Sequence, residues 1–133
     1  MPVYIIPTPV VHEITYDLYV RNIPNLAHFP VALGLSNIRR ASVDISPLWV
    51  TSSAAFGRVD LYEPSLVQTS DDIDGPFILA AAVEDITWQP NELTRTRIVA
   101  ITSTRFFHPE NLRIVDDANW QFAINSFRWM KGF

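Results

Sequence analysis

Residues 77–83, Phe-Ile-Leu-Ala-Ala-Ala-Val, run without a polar interruption, and residues 97–102 come close to repeating them as Arg-Ile-Val-Ala-Ile-Thr. Both runs have strand length. Neighbouring side chains of a strand point to opposite faces, so a strand that is apolar at successive positions has to be covered on both sides. Neither run approaches the roughly 20 residues that a membrane span requires. The chain is therefore expected to build a layered, soluble fold around at least two interior strands, and it must find helices or loops to cover them.

The other strand signals are shorter. Residues 3–6 form a β-rich piece near prolines at 2 and 7, as at a sheet edge. Three further pieces fall at 31–35, 38–45 and 48–51. In the middle one, Ala41, Val43 and Ile45 alternate with Ser42, Asp44 and Ser46, the period of a half-buried strand. Residues 12–30 read as a looping connection with one or two short turns. Residues 52–76 read as a long polar loop, in which Pro64 could open a helical turn or two over 65–69. A loop of this length suggests either function or contact with another surface. Residues 86–92 read as a turn.

One helix stands out near the end, in Asp-Asp-Ala-Asn-Trp-Gln-Phe-Ala-Ile-Asn-Ser-Phe-Arg-Trp-Met-Lys-Gly at 116–132. Asp116, Asp117 and Asn119 can cap its first turn, and Lys131 with Gly132 supplies the stop. At 100° per residue, Trp120, Ala123, Ile124, Phe127 and Met130 share one arc. Gln121, Asn125 and Arg128 form a polar stripe, while Phe122 and Trp129 lie together on a third side. The first arc is expected to serve the core. Phe122 and Trp129 then become a candidate interface, to be covered by a missing part of the same domain or by a second copy in a homo-oligomer.

Composition narrows the chemistry. With 133 residues, 48% of them hydrophobic, the chain fits a single packed domain over 1–133. A formal charge of −4 and a lone Arg39-Arg40 pair argue against a nucleic-acid surface. Cysteine is absent, which removes disulfides, thiolate metal sites and a cysteine nucleophile from consideration. Met1-Pro2-Val3-Tyr4 lacks the basic start of a signal peptide.

The remaining motifs are weak. Ser70, Asp72, Asp74 and Gly75 imitate the start of a calcium loop, but the twelfth position, where a bidentate Glu belongs, is Ala81 inside an apolar run. His12, His28 and His108 match no ligand spacing, so neither a metal nor another cofactor is expected. Thr51, Ser52 and Ser53 follow one strand, and Ser103 with Arg105 follows another. These are candidate ligand loops, although no Gly-x-Ser-x-Gly elbow or phosphate loop accompanies them. The four tryptophans invite a sugar-stacking reading, yet they have no repeated spacing and read mostly as core.

Several segments, taken in order, resemble one family. Thr-Arg-Ile-Val-Ala-Ile-Thr-Ser-Thr-Arg-Phe-Phe at 96–107 and Asn-Trp-Gln-Phe-Ala-Ile-Asn-Ser-Phe-Arg-Trp at 119–129 resemble the auxiliary component of a gliding-motility-type ABC transport system. That family has a strand running into Gly-Asp-Ser-Asp-Phe, followed after a gap by a helix with Asn, Phe, Asn and Trp at matching intervals. Arg97 to Ile101, Phe106, Asn119, Phe122, Asn125 and Trp129 carry the match. His12 to Leu18 with His28 to Ser36, Ser46 to Ser53, and Gly75 to Glu84 resemble further family segments in the same order. The family's acidic pair is replaced by Ser103 and Arg105, and the residues after Ser52 also depart from its pattern.

The resemblance implies an α/β domain, part of a flavodoxin-like, class I glutamine amidotransferase-like sandwich, strand-rich here with a C-terminal helix and without a working triad. It implies that these residues are the C-terminal part of a larger amidotransferase-like domain. That domain would lie on the extracytoplasmic (periplasmic) side, and segments outside this chain would anchor it to the membrane. The functional expectation is a non-enzymatic module that acts through contacts with other ABC transport-system subunits or with glycans. The alternative is a hydrolase or amidotransferase-like enzyme in which Thr51, Ser52, Ser103 and a histidine converge in one pocket.

Overall fold

In a computed structural model, which describes residues 4–20, 29–30, 42–109 and 118–132, the two apolar runs lie side by side in one sheet. Strand β1 is Tyr4–Ile5, β2 Thr8–Pro9, β3 Phe29–Pro30, β4 Val43–Val50, β5 Phe56–Gly57, β6 Ile73–Asp74, β7 Ile78–Gln89 and β8 Glu92–Ile101. Helix α1 is Tyr16–Val20 and helix α2 is Ala118–Lys131. The main sheet has the order β2-β4-β7-β8, and β1-β3 and β5-β6 form two small ribbons. The chain is thus mixed α/β, strand-rich, with a C-terminal helix. Every described strand pair is antiparallel, in contrast to the parallel sheet of a flavodoxin-like sandwich.

Strands β7 and β8 continue beyond their apolar halves. The turn expected over 86–92 contracts to Pro90-Asn91, because Gln89 and Glu92 already form a strand pair. Proline presets the first turn position, and Asn91 takes φ = 79°, the left-handed conformation that asparagine tolerates best after glycine. The β-forming side chains before and after this turn carry the hairpin out as an exposed arm, with Trp88 paired to Leu93.

The two strands expected at 38–45 and 48–51 are one strand, β4, from residue 43 onward. Its register against β7 slips between Pro47, opposite Ala81, and Trp49, opposite Ala80, so Leu48 is an inserted residue. Such a bulge suits a proline, which has no N–H to give the ladder. It also flips Trp49 to the other face, and a second slip follows between Trp49 and Val50. Ile45 and Pro47 lie on the sheet face of Val83 and Ala81, whereas Trp49 turns to the face of Ala80 and meets α2.

Helix α2 packs on that face. Its buried residues are Ala118, Asn119, Phe122, Ala123, Asn125, Ser126 and Trp129. The expected orientation is therefore overturned. Phe122 is fully buried, edge-on to Trp49 at 5.7 Å and to Phe106 at 5.7 Å, and Trp129 is also buried. Trp120 and Phe127, assigned to the core by the aromatic pattern, are 53% and 64% exposed. Two amides account for the rotation. Asn119 Nδ2 donates to the Phe106 carbonyl at 3.0 Å, and Asn125 Nδ2 donates to the Ile14 carbonyl at 2.9 Å. Both asparagines are buried, and turning the helix over would strand these groups without partners. The core then closes with Ile14, Leu18, Leu48, Leu79, Ala80 and Ala82.

The expected strand at 31–35, residues 38–41 of the next, His28 and the capping acids Asp116 and Asp117 lie outside the described residues. No helical turn forms over 65–69. The loop there is held by side chains, as described below.

Candidate functional site

A polar concavity lies on the helix-covered face of the sheet, beside the C-terminal end of α2. It arises from strand register. Asp44, Glu84 and Arg97 stand in one row across β4, β7 and β8, while Ser46, Ala82 and Val99 stand in the next. Serine and alanine fill little space, so the second row leaves a floor. Arg95, His12, Glu13 and Trp129 complete the walls of a cleft of about 390 Å³.

Its charges are largely engaged with one another. The Arg97 Nε–H donates to Glu84 Oε2 at 2.9 Å, and Arg95 Nε lies 3.4 Å from Glu84 Oε1. Arg97 also sends Nη1 to the Trp129 carbonyl at 2.6 Å, and its guanidinium sits 4.8 Å from the Trp129 ring centroid. A cation at the last turn of a helix meets both the unpaired carbonyls and the negative end of the dipole. Arg97 thereby fastens α2 to the sheet.

His12 borders the same cleft, edge-on to Trp129 with centroids 5.4 Å apart. Its Nδ1 accepts the Ile14 N–H at 3.2 Å, so in the neutral ring the proton resides on Nε2. Burial is the main cause that holds its pKa below the usual 6.5, against the opposing pull of Glu13, Asp44 and Glu84. The lone pair needed to take a proton from a nucleophile is thus committed to the backbone. Among the described residues Ser46 is the one hydroxyl lining this cleft, and His12 can offer it only a donor. The arrangement positions charges and a helix end; it is poorly built to abstract protons.

The hydroxyl loops lie elsewhere. Thr51 is buried, and its Oγ1 accepts the Phe77 N–H at 2.8 Å while its own N–H donates to the Phe77 carbonyl at 2.9 Å. It closes the sheet where β4 ends. Ser52 and Ser53 are exposed. Ser103 is buried in the turn after β8, where its carbonyl accepts the Phe106 N–H, and Arg105 is exposed. Thr51 lines a second cleft, of about 630 Å³ and mainly apolar, together with Ile5, Phe56, Leu66, Phe77 and Leu79. Among the described residues, neither Ser52, Ser103 nor a histidine lines that cleft, so the convergence required by the enzyme reading is not found among them at either concavity.

Among the described residues, no group of three or more His, Asp or Glu is placed to hold a metal ion. Asp72, from the calcium-like stretch, instead serves its own loop. Its carboxyl is held below the usual range chiefly by the Thr69 N–H, with Val59 N–H and Arg58 assisting. Of the four tryptophans, read mostly as core, Trp49 and Trp129 are buried whereas Trp88 and Trp120 are exposed, and Trp129 is the one the helical pattern placed outside the core. The Arg95–Glu84–Arg97 group was readable in part: Thr-Arg-Thr-Arg at 94–97 alternates, which places both arginines on one strand face. Comparison of the chain with protein-family models, with curated proteins and with solved structures gives no match.

Proposed function

We propose that this chain is a non-enzymatic contact module, the auxiliary domain of an ABC-type transport system, and that it works through the outward face of α2. The observation that carries the reading is the ridge formed by Trp120, Ile124 and Phe127. These residues sit at i, i+4 and i+7 on the side of the helix opposite the buried Phe122 and Trp129, with both aromatic rings more than half exposed. That spacing is how an amphipathic helix presents anchors to a groove in a partner. Large aromatic side chains are costly to leave in water and are over-represented among binding hot spots.

The ordered resemblance to the transport auxiliary family supports the partner class, namely other transport-system subunits. On this reading the antiparallel sheet is the C-terminal part of a larger amidotransferase-like, flavodoxin-like sandwich. Among the described residues no strand pairs with the outer edge of β8, where such an extension could join. The parent protein would work outside the cytoplasm, its anchors lying beyond these residues. No helix among the described residues is long and apolar enough to cross a membrane.

Co-expression of the chain with the ATPase and permease subunits of an ABC transport system from the same organism tests the reading. A complex should purify with the wild type and be lost with Trp120→Ser plus Phe127→Ser, while circular dichroism stays unchanged. Sedimentation of the same pair separates a subunit partner from a second copy. A complex that survives the double substitution would remove the ridge from the proposal, and turnover of a substrate by the purified protein would remove the non-enzymatic reading.

A further inference from the structure

Among the described residues, 58–74 form an unusual surface. Their ends are joined by the β5-β6 ribbon, with Phe56 opposite Asp74 and Gly57 opposite Ile73. Arg58 is the internal fastener. Its Nη2 donates to the carbonyls of Ser65 and Val67 at 2.9 and 3.0 Å, its Nη1 lies 3.1 Å from Asp72 Oδ2, and its guanidinium sits 5.1 Å from the Phe56 ring centroid. Asp72 in turn accepts the Thr69 N–H at 2.8 Å. The loop is held in shape by its own side chains.

What it holds outward is apolar. Tyr62 is 95% exposed, Leu66 85% and Leu61 84%, and Val59, Val67 and Ile73 are also largely exposed. A connection that only links two strands is normally polar at its tips. The same stretch contains Asp60, Glu63, Asp71, Asp72 and Asp74 against Arg58 alone. The whole chain has 14 acidic and 10 basic residues, so outside this stretch nine face nine. The entire formal charge of −4 therefore resides in one fastened loop. Glu63 and Leu66 belong both to this loop and to the lining of the 630 Å³ cleft, which makes the two features continuous.

We infer that the 58–74 loop and its adjoining apolar cleft form a docking surface for a positively charged protein segment that presents an apolar anchor residue. Charge complementarity selects this occupant. An anionic bilayer would be repelled, and the same loop of a second copy would bring like charges together. The cleft has the volume of a small-ligand or side-chain pocket, and Phe56, Phe77 and Leu79 give the anchor an apolar lining. The inference goes beyond the proposed function: it requires neither the α2 ridge nor a transport system.

Selection of a displayed random 12-residue peptide library on the immobilised chain tests it. Enriched peptides should be net positive and contain a Leu, Ile, Phe or Trp. Their synthetic forms, followed by fluorescence anisotropy, should bind at least about tenfold more weakly to Leu61→Ser plus Leu66→Ser, as expected when hot-spot side chains are removed. Glu63→Gln plus Asp71→Asn should also weaken them, with a smaller salt dependence than the wild type. Trp120→Ser plus Phe127→Ser should bind them unchanged. All of these positions except Glu63 are exposed, and circular dichroism checks that each variant is folded. The inference is overturned if no enriched peptide depends on the loop residues, or if the enriched peptides are neutral or acidic. It is equally overturned if Leu61 and Leu66 instead mediate binding to phosphatidylcholine or phosphatidylcholine–phosphatidylserine vesicles.

Discussion

Replacing Phe122 with Ala, beside a matched Trp120→Ala control, decides which side of α2 holds the domain together. Phe122 is fully buried, with edge contacts to both Trp49 and Phe106. Truncating such a ring removes its transfer free energy and leaves a cavity between two aromatic neighbours, a loss of about 3–5 kcal/mol. A chain of this length is expected to have roughly 7–20 kcal/mol of total stability, so the variant folds but is clearly weakened. With a urea slope of about 2 kcal/mol per M, its unfolding midpoint falls by roughly 1.5–2.5 M. Trp120 is half in water and has a larger ring, yet its truncation costs about 1 kcal/mol or less. Far-ultraviolet circular dichroism is the appropriate probe, because tryptophan emission would change with the control itself. If the control loses as much as Phe122→Ala, or if Phe122→Ala loses under about 1 kcal/mol, the helix is seated by its other aromatic face and the packing argument fails.

The polar fasteners give further expectations. Arg97→Ala, at a side chain only 13% exposed, should lower stability by about 2–3 kcal/mol in chemical denaturation, since Trp129's carbonyl and part of Glu84 lose a charged partner. Arg97→Lys keeps the charge but not the fork and should recover no more than about half of that loss; full recovery would refute the geometric role. Asn125→Asp replaces a donor with an acceptor facing the Ile14 carbonyl and should cost at least about 2 kcal/mol at neutral pH, with part regained on acidification when the carboxyl can donate. Finally, the His12 pKa is depressed below 6.5 in the folded chain, so the unfolded chain takes up the proton first as pH falls. The neutral-His12 contribution is complete above about 6.5 and is lost progressively down to its lowered folded value. Denaturation midpoints from pH 8 to 5 should therefore show a wild-type excess over His12→Gln that shrinks below that point; an excess independent of pH would contradict the burial argument.

How far the residues announce this architecture depends on which physical signal is followed. Continuous apolar character located the interior halves of β7 and β8, and the cap and stop residues located α2. The exposed hairpin arm was missed because its side chains alternate around a turn that needs only Pro90 and Asn91, too short a break to separate from strand. The orientation of α2 was missed for a different reason. Hydrophobic periodicity weighs Trp120, Ile124 and Phe127 heavily and gives Asn119 and Asn125 no inward preference. The amides nevertheless decide, because their carbonyl partners arrive from residues 13 and 111 positions away, where no local pattern can reveal them. The polar cleft shares this property. Arg95 and Arg97 could be placed on one face from their spacing, but their meeting with Glu84 depends on hairpin register and their meeting with Trp129 on the helix. Of the hydroxyls read as ligand loops, Thr51 closes backbone structure where β4 ends, a contact 26 residues away along the chain.

The β7–β8 hairpin also sets an order in time. Its pairs open outward from Gln89–Glu92 around a two-residue turn, so each new pair after the first closes almost no additional loop. Strand β4, by contrast, can join β7 only after the whole 51–77 span has been brought back, a closure whose entropy must be lost before any pairing offsets it. The hairpin is therefore the natural early structure, with β4 and α2 condensing onto its apolar half later. Substitutions at Pro90 or Asn91 should slow refolding, whereas changes in the short β2 strand, at the far edge, should mainly hasten unfolding. The exposed arm that contributes little to the core would then be the place where folding begins.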